Sequence, residues 1–136
     1  MIEAFEVVTK TYSKTEHLPI LENWVRDWEL DAEVLLMNPP TGRIMYVNDK
    51  PICAGFLTKT DTGVAMISGL ICDKKSDKHI RSMCLDGLIN KLEILAQVMG
   101  FRMMCVSTLV PEVVTRFEKF GYNVLPEKYI NLGRSF

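Results

Sequence analysis

The stretch VAMISGLICDKKSDKHIRSMCLDGLINKLEILAQVMGFRMMCV, residues 64–106, decides the fold. Its first part, Val64–Cys72, is an apolar run broken only by Ser68 and Gly69, which predicts a strand covered on both faces. A polar connection over residues 73–78 follows. From His79 the positions Ile80, Met83, Cys84, Gly87, Leu88, Leu92, Leu95 and Val98 recur at the spacing of one helix face, and Gly100 is placed to end that helix. Residues 101–106 form a second apolar strand. Strand, helix and strand together make a βαβ unit, so these two strands are expected to pair in parallel.

Upstream, residues 44–47 and 52–58 read as two strands around the polar turn Asn48-Asp49-Lys50-Pro51, a β-hairpin. Thr60-Asp61-Thr62-Gly63 is a second turn. The two prolines of Asn38-Pro39-Pro40-Thr41-Gly42 make that segment a loop. Before it, Leu18, Leu21, Trp24, Val25 and Trp28 predict an amphipathic helix over residues 17–30, and residues 2–9 predict a first strand. Downstream, residues 113–120 predict a short helix closed by Gly121, and residues 122–125 and 129–132 two last strands.

With 136 residues, 48% hydrophobic and 24% charged, the chain has the composition of one globular domain spanning residues 1–136. The net charge of −1 gives no footprint for a nucleic-acid backbone. Residues 1–15 carry no apolar signal core, and no apolar run approaches the roughly 18 residues of a membrane span. Cys53, Cys72, Cys84 and Cys105 show no metal-ligand spacing, so free thiols and a reducing cytoplasm are expected, and no metal. Lys74, Lys75, Lys78, His79 and Arg81 form a basic run beside Asp73 and Asp77, either a solvated turn or a phosphate-binding one.

The order of elements resembles the GCN5-related N-acetyltransferase (GNAT) family, and the resemblance extends over nearly the whole chain. Two local signatures accompany it. Residues 47–57, VNDKPICAGFL, look like the family's hairpin, and Arg116-Phe117-Glu118-Lys119-Phe120-Gly121-Tyr122 looks like its Phe-Tyr-Glu-Lys-x-Gly-Phe segment. The resemblance implies a mixed α/β fold, a six- to seven-stranded sheet flanked by three to four helices. It also implies an acyltransferase that moves an acetyl group from acetyl-CoA directly to an amine on a small molecule or a protein. In that reading the backbone of Leu70, Ile71 and Cys72 orients the pantetheine. The turn of Ser76, Lys78, His79, Ile80, Arg81 and Ser82 meets the pyrophosphate at a helix N-terminus, and Ser107 and Phe117 complete the cofactor site. The loop after the first helix, with Asn38, Pro39, Pro40 and Arg43, forms a wall of the acceptor site.

The chain departs from the family pattern at two places. The loop pattern Arg/Gln-x-x-Gly-x-Gly/Ala falls on Ser76-Asp77-Lys78-His79-Ile80-Arg81, so His79 and Arg81 stand where small residues let backbone approach a phosphate. Either Lys78, His79 and Arg81 supply side-chain charge instead, or the segment is a turn capping a helix. Phe117 replaces the tyrosine that protonates the departing thiolate, which leaves Tyr122, Ser107, Thr108 or water. Ser68 is the polar residue on the Val64–Cys72 strand able to hold a water as base, or simply to bond to backbone, and Asp73 reads as a turn residue. His17 reads as exposed or capping, Cys105 as a small hydrophobe, and Trp24 and Trp28 as a core stripe. The alternative function is a catalytically silent binding module on the same fold. The last strands leave an edge open to pairing with a second copy as a homodimer.

Overall fold

In the computed structural model the described residues are 5–31, 35, 39–108, 111–125, 132 and 134. They form β1 (Val7–Thr11), α1 (Lys14–Asp27), β2 (Gly42–Val47), β3 (Lys50–Lys59), β4 (Val64–Cys72), α2 (Lys78–Val98), β5 (Met103–Val106) and α3 (Pro111–Lys119). The strands lie in the order β1-β2-β3-β4-β5. The first three pairings are antiparallel and β4–β5 is parallel. The expected βαβ unit is therefore present at residues 64–106.

The β2–β3 hairpin turns through Asn48 and Asp49 at φ 49° and 65°. Positive φ at both central residues is the primed turn whose twist matches paired strands, and Asn and Asp tolerate it best among non-glycine residues. β4 is less covered than its apolar run suggests: Ala65 and Ile67 are buried, whereas Met66 and Gly69 are exposed.

Alternation along the strands divides the core. On one face Ile44, Ala54 and Phe56 meet Leu21 and Trp24 of α1. On the other, Met45, Cys53 and Ile67 meet Cys84, Leu88, Ile89 and Leu92 of α2 and Phe117 of α3. Met83 and Val98, expected on the buried face of α2, are exposed. α1 begins at Lys14 rather than His17. The Ser13 amide donates to His17 Nδ1 at 2.8 Å, so His17 does from inside the helix what a glutamate does in a capping box. His17 caps, as expected, but is 2% exposed.

All three helices end in the same motif. Leu30, Phe101 and Tyr122 donate their amides to the carbonyls of Val25, Ala96 and Phe117. Glu29, Gly100 and Gly121 donate to Arg26, Gln97 and Glu118. This double closure needs a left-handed residue at its centre, and φ is 57° at Glu29, 90° at Gly100 and 87° at Gly121. The last case corrects one expectation. Residues 122–125 are not a strand, because Tyr122 packs back on Phe117 with ring centroids 4.9 Å apart, the apolar contact that accompanies such a cap. The described sheet has five strands, fewer than the six or seven expected. Most of the other expected strand, residues 129–132, lies outside the described residues. No helix among the described residues is long and apolar enough to cross a membrane.

Candidate functional site

Parallel pairing of β4 with β5 stops early. Val64 to Ile67 oppose Met103 to Val106, and Ser68 through Cys72 have no β5 partner. Across β3 the register also shifts: Ala54 opposes Ile71, while Phe56 opposes Ser68, so Gly69 and Leu70 together face Gly55. This is a β-bulge with Gly69 at φ 67°, the left-handed position of the glycine type. A bulge bends its strand and adds twist, which carries the end of β4 away from β5. Gly55 makes room for it, since a Cβ there would come within 2.7 Å of Leu70 Cδ2 and 3.1 Å of Leu88 and Leu92. The β4 backbone from Ser68 to Cys72 is left without a β5 partner among the described residues.

Beyond β4 the chain turns at Asp73. Its Oδ1 accepts the Lys75 amide at 3.0 Å, and its carbonyl accepts the Ser76 hydroxyl at 2.6 Å. The end of α1 docks here. Trp28 Nε1 donates to the Cys72 carbonyl at 2.8 Å, Lys75 Nζ lies 3.6 Å from Asp27 Oδ1, and Lys74 Nζ lies 5.2 Å from the Trp28 ring centre. Trp28 is 39% exposed, a clamp on this loop rather than a member of the core stripe.

The first turn of α2 is occupied by its own carboxylate. Asp77 Oδ1 accepts the amides of His79 at 2.9 Å and Ile80 at 3.1 Å. Arg81 turns back to the carbonyls of Lys74 at 2.8 Å and Ser76 at 3.2 Å. Lys78 and His79 are exposed. Behind this turn, Arg116 of α3 donates to the Ser82 carbonyl at 3.0 Å, to the Ser82 hydroxyl at 3.1 Å and to Asp86.

The two residues singled out for catalysis lie on opposite faces of the sheet. Ser68 shares the α1 face with its cross-strand partner Phe56, and its hydroxyl is 2.9 Å from that of Thr58. Tyr122 packs on the α2 side. Its buried hydroxyl has no hydrogen-bond partner among the described residues, and its pKa is pushed up to about 12, by burial first and then by Glu93 and Cys105. Tyr122, Phe117 and Ser107 line a cavity of about 940 Å³ with Glu93, Cys105 and Thr108. Pro39 and Pro40 line a second, about 780 Å³, with Tyr12, Leu18, Glu22 and Val25. Arg43 bonds to the Gly42 carbonyl, and Asn38 lies outside the described residues.

Comparison of the whole architecture decides the fold. An acetyltransferase from Trypanosoma brucei superposes with a TM-score of 0.68 at 15% identity, covering 95% of this chain and 100% of its own. A GNAT-family acetyltransferase from Streptococcus pneumoniae gives 0.67 at 13% identity, covering 97% and 100%. The chain has the GNAT acetyltransferase fold. The N-acetylglutamate synthase of Neisseria gonorrhoeae, solved with coenzyme A and N-acetyl-glutamate, matches with a TM-score of 0.62 at 16% identity over 85% of this chain and 28% of its own. No family model matches the sequence, and no curated protein is detectably similar to it. The GNAT resemblance is thus carried by the order and pairing of elements, with little shared sequence.

The bulge at Gly69 and the loop clamp at Trp28 are functional-site features that the sequence expectations lack. The interruption Ser68-Gly69 within an apolar strand was the available signal for the first. The second had none, since Trp28 and Cys72 are far apart in sequence.

Proposed function

We propose that the chain transfers an acyl group from an acyl thioester, acetyl-CoA in the first instance, directly to an amine. The observation that supports this is the bulged end of β4, where the strand bends at Gly69 and runs on to Cys72 without a β5 partner. An acyl thioester supplies an activated carbonyl when bound. Leu70, Ile71 and Cys72 lie on the stretch of β4 beyond its pairing with β5, and Cys72, in a non-hydrogen-bonded pair with Cys53, turns its amide away from β3, which suits the amide-bearing pantetheine arm, as strand edges suit extended amides. Fixed backbone N–H groups aimed at the thioester oxygen would stabilise charge as the amine attacks. Holding both reactants in one orientation supplies much of the remaining rate enhancement.

The chain's own acid–base groups are few. Ser68, half-buried and bonded to Thr58, is the polar side chain on the α1 face of β4 able to hold the attacking amine or a water. Phe117 cannot donate a proton. Tyr122, with its pKa near 12, holds its proton more firmly than a thiol does and is a weak donor to a leaving thiolate. The ammonium formed as the neutral amine attacks is a stronger acid than either group, and the proton it must lose passes to the departing thiolate.

The diphosphate of CoA fits less well. The amides of His79 and Ile80 already serve Asp77, and its carboxylate repels a second anion at the same place. This favours a second reading, a binding module on the GNAT fold without turnover. Differential scanning with acetyl-CoA separates the two first steps, since a ligand that binds only the folded state stabilises it by about 2.7 kcal/mol at a hundred times its Kd. Stabilisation followed by acetylation of amines from a mixed panel supports transfer. Stabilisation without any acetylated amine supports the module, and no stabilisation at millimolar acetyl-CoA removes the acyl-CoA reading.

A further inference from the structure

Three of the four cysteines converge at the end of β4, beyond its pairing with β5, and the acyl-transfer reading uses none of their thiols. Cys53 of β3 and Cys72 of β4 are directly opposed in the antiparallel register. The neighbouring pair is joined by the Asp73 amide donating to the Ile52 carbonyl at 2.8 Å. Hydrogen-bonded and non-hydrogen-bonded pairs alternate along an antiparallel ladder, so Cys53 and Cys72 form a non-hydrogen-bonded pair, whose Cα atoms lie about 4.5 Å apart. That is inside the roughly 4.4–6.8 Å window of disulfides. Both side chains point to the α2 face, where Cys84 completes the group and the Cys53 thiol contacts those of Cys72 and Cys84.

The three thiols are not equivalent. Cys53 and Cys84 are 0% and 1% exposed, whereas Cys72 is partly exposed. The hydrogen bond from Cys53 lowers the Cys72 pKa, and Arg81 and Arg116 lower it further against the opposing effect of burial. Cys53 is shifted upward by donating to its neighbours and by burial. Cys84 is lowered by Cys53 as well but is buried, so Cys72 is the lowered thiol that solvent reaches, the combination that makes a cysteine reactive.

We propose that Cys72 and Cys53 form an exchange-active dithiol: Cys72 attacks a low-molecular-weight disulfide, and Cys53 then closes a cross-strand disulfide between β3 and β4. In the first step a bond forms between Cys72 Sγ and one sulfur of the small disulfide, and the other half leaves as a thiolate. In the second, Cys53 Sγ gives its proton to solvent and attacks Cys72 Sγ, releasing the remaining half. The sum is two protein thiols and one small disulfide converted to one protein disulfide and two small thiols.

The test is to incubate the full native chain with glutathione disulfide, quench with acid, alkylate and map the peptides by mass. The proposal expects loss of two of the four alkylatable thiols and a Cys53–Cys72 cross-link. The cross-link should persist in Cys84→Ala, and Cys72→Ser should leave every remaining thiol alkylatable. The wild-type map alone decides the case if Cys72→Ser folds poorly. Four free thiols, a glutathione adduct stalled on Cys72, or a Cys53–Cys84 link would each overturn it.

Discussion

The Asp77 carboxylate accepts the amides of His79 and Ile80, so one side chain of this chain sits where a helix N-terminus would otherwise offer its donors to an anion. That relationship explains how a loop with no glycine can still begin a regular helix. It also separates the end of β4, which has no β5 partner, from the first turn of α2, which is engaged.

Replacing Asp77 by glycine frees both amides and removes the competing charge. CoA should then bind more tightly to Asp77→Gly than to the wild type, while pantetheine, which carries no phosphate, should bind both equally. Asp77→Ala should cost about 1 kcal/mol of stability as a lost cap, and glycine only a few tenths. Isothermal titration and denaturant unfolding measure the two effects. Equal CoA affinity in both proteins would show that the cap does not govern the phosphate seat.

The bulge should be sensitive to its glycines. Gly69→Ala places a side chain at φ 67° and should destabilise by about 1–2 kcal/mol. Gly55→Ala should displace Leu70, which its Cβ would meet at 2.7 Å, and so disturb the bulge from the opposite strand. Both variants should weaken acyl-thioester binding by more than an equally destabilising change on α1. Urea midpoints and ligand titrations on the same samples check this.

Glu29 holds the left-handed position that glycine holds at the ends of the other two helices. Glu29→Gly should therefore raise stability by up to about 1 kcal/mol, read as an increase in Tm, with the α1 cap unchanged. A fall in Tm would mean that the Glu29 side chain contributes more than its backbone strain costs.

Tyr122 gives a pH signature. Its folded pKa near 12 lies above the ordinary 10, so the folded state favours the protonated phenol. The associated stability is present below about pH 10 and is lost as pH rises toward 12. In Tyr122→Phe that alkaline loss should shrink. The latest phenolate absorbance change should also disappear from the titration. Because the variant removes a buried hydroxyl without a partner, its stability at pH 7 should equal or exceed that of the wild type.

What was legible in the sequence follows from the range of each interaction. The βαβ segment was readable because its apolar run, helix period and closing Gly100 are local. The same holds for the hairpin at Asn48-Asp49. The start of α1 is marked locally too, by the capping-box spacing Ser13-Lys14-Thr15-Glu16 that the reading from His17 passed over, although the bond back to the Ser13 amide is made by His17, one residue further on. The apolar character of Tyr122 suggested a strand, yet its ring completes the α3 cap on Phe117. The basic run could be read as solvated or phosphate-binding because the destinations of Lys74, Lys75 and Arg81, on Trp28, Asp27 and loop carbonyls, are fixed by tertiary contact.

The most direct measurement is a titration of the isotope-labelled chain with S-acetyl-pantetheine, a donor without the diphosphate that Asp77 opposes, following backbone amide shifts by NMR. The account predicts saturable shifts in Gly69, Leu70, Ile71 and Cys72, with those of His79 and Ile80 little changed. Amides of β4 that stay in place at millimolar donor would contradict it.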